Sequence, residues 1–192
     1  MRYIVYVDGA VGVGKSTFIK ILERTFASVL MIWDKPNKSY HFNVEVLPEP
    51  LHRDWTARIV NELGYSNLLK FLLVRKVTAI ETWSSAIASN GLQELEHNVL
   101  IVERSPEGDR LVSEGYVDEY PELNVRYTGE SVHKVFIKDE KSENEEQTRL
   151  NVLYNDLEIE QGTRAIYRLK RPRYVSTYYA EAAAIVKKVL GL

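Results

Sequence analysis

There is no cysteine in these 192 residues. A disulfide framework, a thiolate metal site and a cysteine nucleophile are thereby excluded, and the chain suits a reducing compartment. Nor is there an excess of charge: 25 basic and 27 acidic side chains leave a formal net charge of −2. Without an overall basic field, electrostatics give no reason to expect polymeric nucleic acid as a partner, whereas a small anion needs only local charge. No apolar run approaches the ~20 residues of a membrane-spanning helix, and Met1 leads into a strand pattern rather than a signal peptide. These absences predict a cytoplasmic protein with no membrane partner. No repeat and no Gly-, Pro- or Ser-rich linker divides the chain, so residues 1–192 read as a single domain.

What is present alternates. Residues 2–7, RYIVYV, are β-branched and aromatic and stop at Asp8-Gly9, as a buried parallel strand stops at a turn. From Lys15 onward, Phe18, Ile19, Ile21, Leu22 and Phe26 recur at helical spacing. Strands are expected at 42–47, 98–103, 132–137 and 164–169, with long helical patterns over 56–89 interrupted near Gly64 and a terminal helix from Tyr178 to Leu190. The charged run at 138–148 reads as a solvated loop. This alternation predicts an α/β fold of three layers, a parallel sheet of about five strands with helices on both faces.

Between the first strand and first helix stands Gly9-Ala10-Val11-Gly12-Val13-Gly14-Lys15-Ser16, followed by Thr17. It satisfies G-x-x-x-x-G-K-[ST], which at average residue usage arises in under roughly one per cent of chains this long. The strand before it and the helix after it are the setting that a phosphate-binding loop requires. Glycines let backbone N–H groups turn inward around phosphates, and the positive helix end favours their charge. Lys15 would reach the β- and γ-phosphates of ATP, Ser16 would offer a hydroxyl to Mg²⁺, and Thr17 would support the first turn.

Such a loop does not name an acceptor; the other strand ends must. In open parallel sheets ligands gather beyond the carboxyl ends of the strands, where Glu49 and Glu103 should both project. A carboxylate near the γ-phosphate can take the proton of an attacking hydroxyl, while an arginine steadies the transferring charge. Glu49 and the pair Glu103-Arg104 suit those roles. Each also has a plainer explanation: Glu49-Pro50 as a helix-start signal, Trp55 as a core residue, Glu103-Arg104 and Asp109-Arg110 as ion pairs.

Three segments in one order tip the balance: YVDGAVGVGKST at 6–17, PEPLHRDW at 48–55 and VERSPEGDR at 102–110. In these the chain resembles the deoxynucleoside kinases and the related viral thymidine kinases, over roughly two thirds of its length. The resemblance implies a P-loop NTPase-like fold. It also implies ATP- and Mg²⁺-dependent phosphorylation of the 5′-hydroxyl of a deoxynucleoside of thymidine or deoxycytidine type, serving nucleotide salvage. Glu49 would be the base and Trp55 would line the nucleobase pocket. Arg104 would contact the reacting oxygen and hold Glu49, Glu103 would lie near the metal, and Asp109 would lie close to the nucleobase. Family members are often dimers, so the resemblance also raises a homodimer.

The departures matter as much. The family places a glutamine on the helix after the tryptophan to read the base, and none occurs between Trp55 and Gln93. Arg75, Glu81 and Thr82 on that helix read as solvated positions. The family's arginine-rich lid has only Lys138, Lys141 and Arg149 among many acids, and the cluster Arg164, Arg168, Lys170, Arg171 and Arg173 reads as a basic surface or a partial substitute. Two rivals follow: a nucleoside monophosphate kinase such as thymidylate kinase, using Arg53, Arg58 and Arg75, and a nucleotide-binding protein with little catalysis. A general ATPase or GTPase is disfavoured, because NVLIVERS lacks the Asp of the second metal motif and no NKxD is present.

Overall fold

The residues from Arg2 to Gly9 form the strand on which everything else is hung. In the computed structural model this strand, β1 (Arg2–Gly9), is buried at every position but its first. The structure describes residues 1–33, 41–49, 60–89, 96–113, 116–117, 119–121, 124–138, 145, 148–149, 152, 163–171 and 174–192. Apolar side chains on both faces of β1 demand cover on both faces, which only a central parallel strand receives. β1 accordingly pairs in parallel with β3 (Glu96–Glu103) on one side and β4 (Ser131–Lys138) on the other. β2 (His41–Leu47) adds beyond β3 and β5 (Thr163–Lys170) beyond β4, giving one parallel sheet of order β2-β3-β1-β4-β5.

The two faces follow the strand's period of two. Val5 and Val7 look toward α1 (Lys15–Trp33) and α4 (Val175–Leu190), meeting Phe18, Leu22, Phe26, Ala182 and Val186. Ile4 and Tyr6 look the other way, toward Ile80 and Trp83 of α2 (Tyr65–Ser89). The three-layer α/β arrangement expected from the alternation is therefore the one observed. Among the described residues, no helix is long and apolar enough to cross a membrane.

The boundaries differ in ways that matter for function. β1 runs two residues past its expected stop, because Asp8 and Gly9 still pair with Phe136 and Ile137 of β4. α4 starts at Val175 rather than Tyr178. The pattern over 56–89 resolves into a turn of helix at 60–63, Gly64 at φ +80°, and α2; residues 56–59 lie outside the described residues. One element has no counterpart in the periodicity: α3 (Pro106–Val112), seven residues long, with Ser105 accepting from the N–H of Gly108 at 3.1 Å and Pro106 opening the first turn. A serine at the cap and a proline in the first turn are the residues that favour a helix start. The charged run at 138–148 falls almost wholly outside the described residues.

Close approach of chains tests this packing. A Cβ at Gly9 (φ +143°) would meet the backbone oxygen of Ile137 at 2.5 Å, whereas one at Gly64 (φ +80°) would meet nothing within 4 Å. Gly9→Ala should cost about 2–5 kcal/mol through backbone strain and collision. Gly64→Ala should cost only the left-handed penalty of about 1–2 kcal/mol. Urea unfolding of the two variants checks this, and equal losses would contradict it.

Candidate active site

The glycine-rich loop lies between the end of β1 and the start of α1. Gly9, Gly12 and Gly14 have φ of +143°, +78° and +100°, values that side-chain-bearing residues avoid, and they bend the loop tightly enough for Val13 N–H to reach the Ala10 carbonyl at 3.4 Å. Lys15 folds back over the loop and donates to the same carbonyl at 3.0 Å. The residue is 5% exposed, and burial, reinforced by Arg104, pushes its pKa down to about 8 against the pull of Glu49, Glu103 and Asp8. Tyr178 of α4 closes the loop from behind, its hydroxyl facing the Val13 carbonyl at 3.4 Å. Val11, Gly12, Ser16 and Thr17 are exposed, and Ala10 and Val13 are buried.

Glu103 joins this loop to the neighbouring strands. One carboxylate oxygen accepts from the Ser16 hydroxyl at 2.9 Å and the other from the Glu49 N–H at 3.3 Å. A magnesium ion that travels with nucleotide phosphates takes one or two protein oxygens and fills its remaining positions from water and phosphate. Ser16 and Glu103, a hydroxyl and a carboxylate already side by side, fit that demand.

Arg104 follows immediately and is the largest fully buried side chain among the described residues. Its Nε lies 3.4 Å from Glu49 Oε1 and 3.6 Å from Asp109 Oδ1. Asp8 supports the same turn from beneath by accepting the Ser105 N–H at 2.9 Å; burial raises its pKa although that bond, Lys134 and Arg104 oppose the rise. Asp109 belongs to α3. Its pKa is pushed up to about 6, chiefly by desolvation and also by Glu49, with Lys76 and Arg104 acting the other way.

Beside the loop opens a cavity of about 190 Å³. Leu69, Leu72, Leu73 and Val112 form apolar walls, Glu49, Lys76, Arg104 and Asp109 supply the charged end, and Val11 connects the space to the loop. Exposed Tyr65 and Tyr116 stand edge to face at its opening, ring centroids 5.7 Å apart. Tyr120 donates to Ser113, which in turn donates to the Asp109 carbonyl. An apolar slot with a few convergent polar groups is the ordinary form of a small-molecule site.

The fold thus gathers Lys15, Ser16, Glu49, Glu103, Arg104 and Asp109 from α1, β3 and α3, the turn after β3 and the segment after β2. Trp55 lies outside the described residues, as do Arg53, Arg58, Lys141 and Arg173. Arg149, Arg168, Lys170 and Arg171 are exposed, Lys138 ends β4, and the side chain of Arg164 is not described. On α2, Thr82 is exposed, Arg75 lies over the Phe71 ring, and Glu81 accepts the Arg126 N–H at 3.2 Å. The residue that sequence reasoning missed is their neighbour Lys76, buried at the cavity floor and paired with Asp109. Its signal was present: Leu68, Leu72, Lys76 and Ile80 follow one another at steps of four, so a cation interrupts the apolar stripe.

The depressed Lys15 titration has a thermodynamic consequence. Between pH ~8 and ~10.5 the unfolded chain holds more protons at this position than the folded one, so the lysine's contribution to stability rises with pH across that window. Below it, the charged amine costs stability. Lys15→Met should therefore be more stable than the parent by about 1–3 kcal/mol at pH 7, with the gap narrowing above pH 9. Thermal melts from pH 7 to 10 check this; a variant that melts lower at every pH would contradict it.

No protein-family model matches the chain, and no curated protein is a significant match to it.

Proposed function

We propose that this chain transfers the terminal phosphoryl group of ATP, with Mg²⁺, to the 5′-hydroxyl of a deoxynucleoside, as the resemblance to the deoxynucleoside kinases implies. One observation carries the reading. Glu49, a carboxylate lining the cavity beside the loop, lies against buried Arg104 while its own backbone is tied through Glu103 to Ser16 of the glycine-rich loop. A proton acceptor, a cation and a phosphate-binding loop are thereby held in one continuous network, which is what in-line transfer to a hydroxyl requires.

In this reading the loop's N–H groups and Lys15 hold the β- and γ-phosphates. Ser16 and Glu103 hold the magnesium ion, which when bound neutralises phosphate charge. Glu49 accepts the proton of the attacking hydroxyl, and Arg104 aligns Glu49 and steadies negative charge at the transferring group. Trp55, by the family resemblance, and Asp109, which lines the cavity, complete the acceptor site.

The charge balance of the cavity bears on the monophosphate rival. Among the described lining residues, Lys76 and Arg104 are matched by Asp109 and Glu49, and both cations lie in ion pairs with those acids. A monophosphate acceptor would bring about two further negative charges into that space. A neutral alcohol suits it better, which favours a nucleoside over dTMP.

Transfer from labelled ATP to thymidine, deoxycytidine, deoxyadenosine, deoxyguanosine and dTMP, each alone, tests the proposal. Turnover is expected on at least one nucleoside. Glu49→Gln should lower it by at least about 100-fold, because the base acts in the chemical step, while leaving ATP affinity within about threefold. Turnover on dTMP alone would establish the rival, and an unimpaired Glu49→Gln enzyme would remove Glu49 from the chemistry.

A further inference from the structure

Arg104 is the one non-glycine residue, among those described, with positive φ, at +66°. Left-handed backbone at an arginine is uncommon and costs of order 1–3 kcal/mol, so it persists only where its surroundings fix it. Here the fixing contacts are visible. The Arg104 N–H donates to the Val7 carbonyl at 3.0 Å, and the Ser105 N–H to Asp8 at 2.9 Å, which holds the amide side of the turn. On its carbonyl side Lys76 Nζ donates to the Glu103 and Arg104 carbonyls, each at 3.1 Å. The third bond of the same ammonium goes to Asp109 Oδ2, whose other oxygen faces Arg104 Nε at 3.6 Å. An ammonium has three N–H donors, and all three are committed to this turn and to the acid beside it.

We propose that Lys76 is a positioning residue for Arg104: by binding both carbonyls of the left-handed turn and orienting Asp109, it aims the guanidinium at Glu49. The role rests on the kinase reading only for its effect on phosphoryl transfer; the geometry that it maintains can be measured without turnover. Lys76 lies at the cavity floor, yet its donors are spent on the protein. It therefore acts on the acceptor through Arg104 and Asp109, and the phosphate loop is served by Lys15, a different cation making a different bond.

Two variants separate this from a merely structural lysine. Lys76→Met keeps the length and removes every donor, and Lys76→Gln keeps an amide that can satisfy part of the turn. For both, nucleotide affinity, the single-turnover transfer rate and the ¹⁵N resonance of Arg104 Nε–H are measured. In Lys76→Met the Arg104 resonance should move toward that of a free guanidinium and transfer should fall about 100-fold, the order of loss expected from misplacing a reacting group. Nucleotide affinity should stay within about threefold. Lys76→Gln should show the same changes in lesser degree, about tenfold in rate, and it decides the matter should the methionine variant fail to fold. In either folded variant, a wild-type transfer rate or an unmoved Arg104 resonance overturns the proposal, as does loss of nucleotide affinity in step with the rate. If the wild-type chain phosphorylates no nucleoside, the kinase reading fails, and the Arg104 resonance still judges Lys76.

Discussion

The left-handed turn at Arg104 is the constraint on which the site depends. A β-strand that continued past Glu103 in extended form would alternate its side chains across the sheet and carry Arg104 to the opposite face from Glu103. Reversing φ at one residue breaks that alternation, and both side chains meet the segment after β2. Glu103 reaches Ser16 and the Glu49 backbone, and Arg104 reaches the Glu49 carboxylate. The turn is also compact enough that Ser105 caps α3 directly, which brings Asp109, four residues later, back over Arg104. A local backbone cost is thus balanced by bonds from β1 on one side and from Lys76 of α2 on the other.

Parallel pairing explains why these groups come from such different parts of the chain. β2, β3 and β1 are neighbours, and their register sets Leu47 beside Val102 and Val7 beside Glu103. Glu49 therefore leaves the sheet within a residue or two of Glu103, and the glycine loop begins two residues after the level of Glu103. Strands of one direction end at one edge, so the loop, the acid after β2 and the acid–arginine pair at the end of β3 are delivered together without any loop having to search for the others. The core packed on both faces is what makes that edge rigid.

Much of this was legible along the chain. Strands buried on both faces announce themselves by continuous apolar runs, and α1 by its period, so five strands and three long helices could be named. The loop, Glu49 and the Glu103-Arg104 pair could be named because their chemistry is local to a motif. What stayed hidden depends on contacts between distant segments. α3 is too short to display a period, although its cap was written in Ser105-Pro106. The Tyr65–Tyr116 pair joins residues from two separate segments. Strand order is a property of pairing, not of any strand. Lys76 was passed over because a lysine on a helix is ordinarily solvated; only the apolar neighbours at steps of four mark it as buried.

The two buried lysines show how the same side chain can serve opposite ends. Lys76 places its three donors on two carbonyls and a carboxylate, so its charge is absorbed by the protein and its loss would be felt by the fold of one turn. Among the described residues Lys15 donates to one acceptor, the Ala10 carbonyl, and its burial lowers its pKa to about 8. Glu49, Glu103 and Asp8 offset that burial only in part, so the ammonium is incompletely compensated, and an anion drawn to it gains more than it would from a lysine in water. On the proposed function that difference is the division of labour within the site. The cation that faces the phosphates is kept under-compensated, so that its charge is spent on the nucleotide, and the cation that faces the acceptor is fully neutralised, so that the cavity accepts an uncharged alcohol.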